Sequence, residues 1–146
     1  MKLRYLCPNH RGWLFADEQR AEYYWQVWIE TADHHCQGGK VDQAIPFLGC
    51  TYELAEFLLS ARQPNPSLAI SRFTYTSLLL TTAYAQLGDV DMYHSVTTQA
   101  RDRLAMELVI PGMSNYVNSC IESLSVSVSN HHQTSSRPMP FKLTYH

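Results

Sequence analysis

Between Tyr24 and Leu59 the apolar residues fall at three- and four-residue steps on either side of a glycine pair, Gly38 and Gly39. Before the pair, Trp25, Trp28, Ala32 and His35 or Cys36 share one helical face; after it, Val41, Ala44, Leu48, Thr51 or Tyr52, Ala55 and Leu58 do the same. Two facing stripes joined by a few residues predict an αα-hairpin, because each stripe is hidden most directly against its sequence neighbour. Asp17 is placed to cap the first helix, and Glu18 adds favourable charge to its first turn. That helix is expected to run to about Gln37 and to end at a left-handed glycine. The second begins near Val41 or Asp42, with Pro46 close enough to its start to be tolerated, at the risk of a kink. Gly49 lies in its interior, where glycine costs about 1 kcal/mol relative to alanine; a close helix crossing would offset that.

The prolines of Gln63-Pro64-Asn65-Pro66-Ser67 break the pattern. A helix from about Ser67 to Leu87 follows, with a stripe of Phe73, Leu80, Tyr84 and Leu87 ending at Gly88. Asp89 or Asp91 opens another to about Val109, with Val90, Tyr93, Val96 or Thr97, Ala100 and Leu104 facing inward. Pro111 and Gly112 close this second hairpin, and Ser114 starts a last helix through Tyr116, Val117, Cys120, Ile121 and Leu124. The alternation of Ser125 to Ser129 favours a strand or frayed coil as much as a helix. At the other end, Pro8 begins a short helical turn with Trp13, Leu14 and Phe15 as its apolar patch. Lys2 to Cys7 and Pro140 to Tyr145 both alternate with a period of two, so a small antiparallel pairing of the chain ends is conceivable. The expected class is therefore all-α, with five to six helices in antiparallel hairpins. Residues 1–129 form one domain and residues 130–146 a flexible polar tail.

Composition narrows the function. A chain of 146 residues suits one domain with a core that needs no staples. The net charge of −2 and a pI near 6.4 offer no field for a phosphate backbone, which disfavours nucleic-acid binding. No apolar run reaches the length of a membrane span, and no secretory signal precedes the four scattered cysteines, so reduced thiols in a cytoplasmic setting are expected.

Laid against each other, the hairpins correspond. Gly39, Val41, Ala44, Leu48 and Thr51 line up with Gly88, Val90, Tyr93, Thr97 and Ala100, and Trp28, Ala32 and His35 line up with Ser77, Thr81 and Tyr84. Here the chain resembles the tetratricopeptide-repeat family, chiefly through Ala83 to Val90 and Gly39 to Leu48. It departs from the family in its repeat length, 49 residues between the turn glycines against a family period of about 34. It departs also at Tyr93, where a small residue is expected, and at Ser77, where a large one is. The resemblance implies a short superhelical array that binds a peptide or helix of another protein in its groove, as an adaptor, small chaperone or regulatory subunit in a bacterial-type cytosol. It implies no catalytic residue.

Candidate partner-binding residues are Tyr23, Tyr24, Tyr52, Tyr75 and Tyr84, since tyrosine offers rigid contact area with a polar tip; at helical spacing each also fits a core position. Tyr23 and Tyr24 are adjacent and cannot both enter one core seam, which makes one of them the better surface residue. The chemical alternative is a zinc site built on Cys7 and His10, with further ligands from His34, His35 and Cys36 or from His131 and His132. Glu30 and Asp33 are the carboxylates available to a catalytic version. No nucleophile elbow or phosphate-binding glycine loop is present, so an enzyme would need an unrecognised site. The charges of Gln99 to Glu107 fit a solvated helix face, and a second copy of the chain could cover any surface groove.

Overall fold

The periodicity is realised as six α-helices, and no strand, among the described residues, 3–61 and 65–129, of a computed structural model. They are α1 (Pro8–Phe15), α2 (Glu18–Gln37), α3 (Val41–Ser60), α4 (Pro66–Gln86), α5 (Val90–Ala105, continued by a 3-10 turn over Met106–Val109) and α6 (Ser114–Ser129). Each packs against the next in order, α6 also meets α4, and α1 lies across α2 and α3. The result is an array of consecutive hairpins, with α4 at its centre.

Side chains fix where the helices begin. Asp17 Oδ1 accepts the amides of Gln19 and Arg20 at 2.9 and 3.3 Å, Asn65 Oδ1 accepts that of Leu68 at 3.2 Å, and Asp89 Oδ1 accepts that of Met92 at 3.2 Å. Pro66 occupies a first-turn position, where a missing N–H costs nothing. Their ends are fixed by glycine. Gly39 and Gly88 stand at φ 75° and 76°, and the following amides reach back to the same kind of acceptor, Lys40 to the carbonyl of His35 at 2.8 Å and Asp89 to that of Tyr84 at 2.9 Å. The two turns are one structure used twice. At the 49-residue offset between these glycines, the ends of α2 and α4 coincide at Gln37 and Gln86, and the starts of α3 and α5 coincide at Val41 and Val90. α3 ends at Ser60, and the 3-10 turn that extends α5 ends at Val109, again at that offset.

α4 is buried along most of its length, and its sequence suits the middle of an array. Thr74, Thr76 and Ser77 carry short side chains that admit close neighbours, and their hydroxyls donate to the carbonyls of Ile70, Arg72 and Phe73 at 2.7–2.8 Å. No buried hydroxyl of these three is left unpaired. Ser77, where the repeat pattern expects a large residue, therefore fits, and Phe73, Leu80 and Ile70 supply the apolar volume. α2 runs beside α4: Trp25 Nε1 donates to Thr76 Oγ1 at 3.0 Å, and Arg72, 3.7 Å from Glu22, lies over the Trp25 ring.

Three expectations are corrected and one open alternative is resolved. Residues 3–7 form no strand, and their proposed mate, with the rest of the tail, lies outside the described residues. The serine-valine alternation after Leu124 continues α6 as helix. Ser123, just before the alternation, and Ser125, its first residue, donate to the carbonyls one turn back, of Ser119 and Ile121, so a period-two sequence survives in a helix. Glu107 is 1% exposed and paired with Arg103 at 2.6 Å, so the charged run ends in the core. Gly49 is not excused by a helix crossing but by an aromatic ring from the N-terminal segment.

Candidate functional site

Residues 3–7 have no regular secondary structure, bend at Leu6, and are fastened to the array by backbone and ring contacts. Glu53, on α3 and buried, receives the amides of two consecutive residues on one carboxylate oxygen, Tyr5 and Leu6, the second at 2.6 Å. Its other oxygen accepts from Arg11 Nη2 at 2.8 Å and Nε at 3.2 Å. Arg11 Nη2 also donates to the carbonyl of Leu6 at 2.7 Å. One ion pair thus takes up two N–H groups and a C=O that a strand neighbour would otherwise satisfy.

The Tyr5 ring lies on Gly49: a Cβ added there would collide with Cδ1 of the ring. Its hydroxyl reaches α4, 2.6 Å from that of Tyr84. Burial pushes the Tyr5 phenol well above its ordinary range, and the hydrogen bond with Tyr84 and the neighbouring Tyr52 and Glu53 push it further. Burial likewise raises Tyr52 and Tyr84. Burial raises the Cys50 thiol to about 11, helped by the nearby Glu53. The seat is therefore dry and uncharged on the tyrosine side, with its one carboxylate spent on the backbone.

The candidate tyrosines divide. Tyr52 and Tyr84 are buried in the core around this seat, Tyr75 is half-buried on α4, and Tyr23 and Tyr24 belong to a second surface. There Trp13 of α1 meets Tyr24 edge-on at 5.4 Å, Tyr24 meets Tyr23 at 5.2 Å, and Trp28 follows one turn along at 5.3 Å. Arg20 covers the Trp13 ring at 4.4 Å and donates from Nη1 to the Trp13 carbonyl at 2.7 Å. Tyr23 is 63% exposed and Trp13 47%. The adjacency of Tyr23 and Tyr24 marked this surface in the sequence, and Trp28 follows Tyr24 by one helical turn; Trp13, with Arg20 over it, joined through the packing of α1 on α2, which no local pattern encodes. Arg11, Gly49 and Glu53 were missed because their partners are distant in the chain.

The proposed metal ligands are not gathered. Cys7 is the N-cap of α1, its sulfur accepting the amide of His10 at 3.4 Å. His34, His35 and Cys36 sit in the last turn of α2, with the His35 ring stacked on Phe47 at 5.6 Å. Among the described residues no three histidine, cysteine, aspartate or glutamate side chains converge as a metal site, and all four cysteines are free thiols. His131 and His132 lie outside the described residues. No described helix is long and apolar enough to cross a membrane. None of the family models, curated proteins or solved structures compared with the chain matches it.

Proposed function

We propose that this chain is a protein-interaction module: a short array like the tetratricopeptide repeats that holds a peptide or helix of a partner and serves as an adaptor, small chaperone or regulatory subunit in a bacterial-type cytoplasm. The observation that carries the reading is the ladder of Trp13, Tyr24, Tyr23 and Trp28. Three rings packed on a fourth, that of Tyr24, two of them widely exposed, form a surface whose side chains are ordered before any partner arrives. Rings already held by one another have little entropy left to lose, and Trp, Tyr and Arg are the residues that dominate interface energetics. Arg20 over Trp13 adds a cation and hydrogen-bond donors at the rim.

A photo-crosslinking side chain placed at Tyr23, and separately at exposed Thr98 on α5 as a control, tests the reading in cells of the source organism. The expected result is a polypeptide adduct at position 23 that is absent at 98. Trp13→Ala should weaken it at least about tenfold, the loss typical of an aromatic anchor. Equal labelling at both positions would sink the proposal.

A further inference from the structure

Residues 3–7 sit where a ligand would. The contacts to their backbone are indifferent to sequence: Glu53 takes two successive N–H groups and Arg11 the C=O that follows. Those to the side chain are selective, because the slot over Gly49 is as wide as a flat ring, and Tyr84 stands at its far end to meet a hydroxyl. Main-chain bonds for affinity and a side-chain pocket for identity are the usual division of labour in peptide recognition. Most of the seat belongs to the array: Gly49 and Glu53 lie on one turn of α3 and Tyr84 is on α4, while Arg11, which holds Glu53 from α1, is itself bonded to the backbone of Leu6 and Cys7. A glycine in mid-helix is less favourable than alanine, and what fills the space it leaves is the Tyr5 ring. Leu6, the next residue, is buried, while Arg4 and Cys7 point outward and are not read.

We infer that this seat is a recognition site for a non-helical segment of a partner protein containing tyrosine followed by leucine, and that residues 3–7 are its resident internal ligand. The chain's own segment, tethered beside the site, competes at an effective concentration on the order of millimolar. A partner displaces it by offering the same backbone and ring contacts with further ones beyond the seat. The inference rests on the reading of the array as a protein-binding scaffold but uses a different surface, so the ladder and the seat can fail separately.

The test uses the full chain carrying Tyr5→Ala, which empties the slot, and a fluorescent peptide of residues 3–7 with Cys7→Ser. Anisotropy should show the peptide binding this variant at least tenfold more tightly than the wild type. Replacing the peptide's tyrosine by alanine, or adding Gly49→Ala to the chain, should abolish binding. No saturable binding to a Tyr5→Ala chain that retains its helical circular dichroism overturns the proposal. Should that variant not fold, amide exchange of the wild type decides: excess peptide should speed exchange at Tyr5 and Leu6, and unchanged exchange overturns the proposal equally. A wild-type dimer that is lost on Tyr5→Ala would assign the seat to a second copy of the chain and overturn the partner reading. Retention of peptide binding when the ladder is mutated, or its loss when the ladder is intact, separates this proposal from the preceding one.

Discussion

Glu53 collects two amides and a guanidinium in a place from which water is largely excluded, and the phenols and thiol around it are kept neutral by the same exclusion. The pH dependence follows from their direction. Cys50 titrates near 9 when unfolded and at about 11 when folded, and Tyr5, Tyr52 and Tyr84 are raised from 10. In that range the folded state binds more protons than the unfolded one, so stability is full below about pH 9 and declines as pH rises. Urea midpoints measured from pH 8 to 11 should hold to about pH 9 and then fall, with Cys50, Cys36 and Cys120 opening the decline and the tyrosines steepening it above pH 10; a flat profile would contradict the burial of these groups. The alternation of Lys2 to Cys7 points to a strand, but the chain bends at Leu6: Tyr5 and Leu6 turn inward in succession while Arg4 and Cys7 face out, because a carboxylate and not a strand takes the two amides. That the neighbour is a carboxylate on a helix, 47 residues on from Leu6, lies beyond any local pattern.

At the scale of the element, local signals were nearly sufficient. Asp17 caps α2 where expected, α2 ends at Gln37, and α4 ends within a residue of the expected Leu87, because caps, prolines and left-handed glycines act over one turn. Where the reading stayed open, two local forces competed. After Leu124 the strand propensity of valine met a helix already nucleated and packed on α4 and α5, and the helix prevailed. Since the turns at Gly39 and Gly88 share dihedrals and hydrogen bonds, they should respond alike to substitution. Gly39→Ala and Gly88→Ala are each expected to cost about 1–2 kcal/mol, the penalty for placing a Cβ in the left-handed region. Equilibrium denaturation of the two variants checks this; costs that differ severalfold would show that the turns are equivalent only in outline.

The whole molecule is a row in which each helix answers chiefly to its neighbours, as in solenoids. The fastening of residues 3–7 is the exception, since it ties the start of the chain to its middle. Amide exchange should reflect both facts, slowest in α3 and α4, which are covered on most sides, and faster in α1, whose single buried residue is Leu14. Glu53→Ala leaves two amides and the Arg11 guanidinium without their acceptor, a loss of about 3 kcal/mol for a pair this deeply placed. It should free Tyr5 and Leu6 to exchange while sparing the Gly88 turn; protection lost evenly along the row would show that the array melts as one unit. The same tie sets a timetable during synthesis. Tyr5 emerges from the ribosome 48 residues before Glu53 and 79 before Tyr84. At about 5–20 residues per second that is a wait of roughly 4–16 s before its seat is complete. The α2–α3 hairpin can close in the meantime, so the earliest of the described residues to be made are among the last to come to rest.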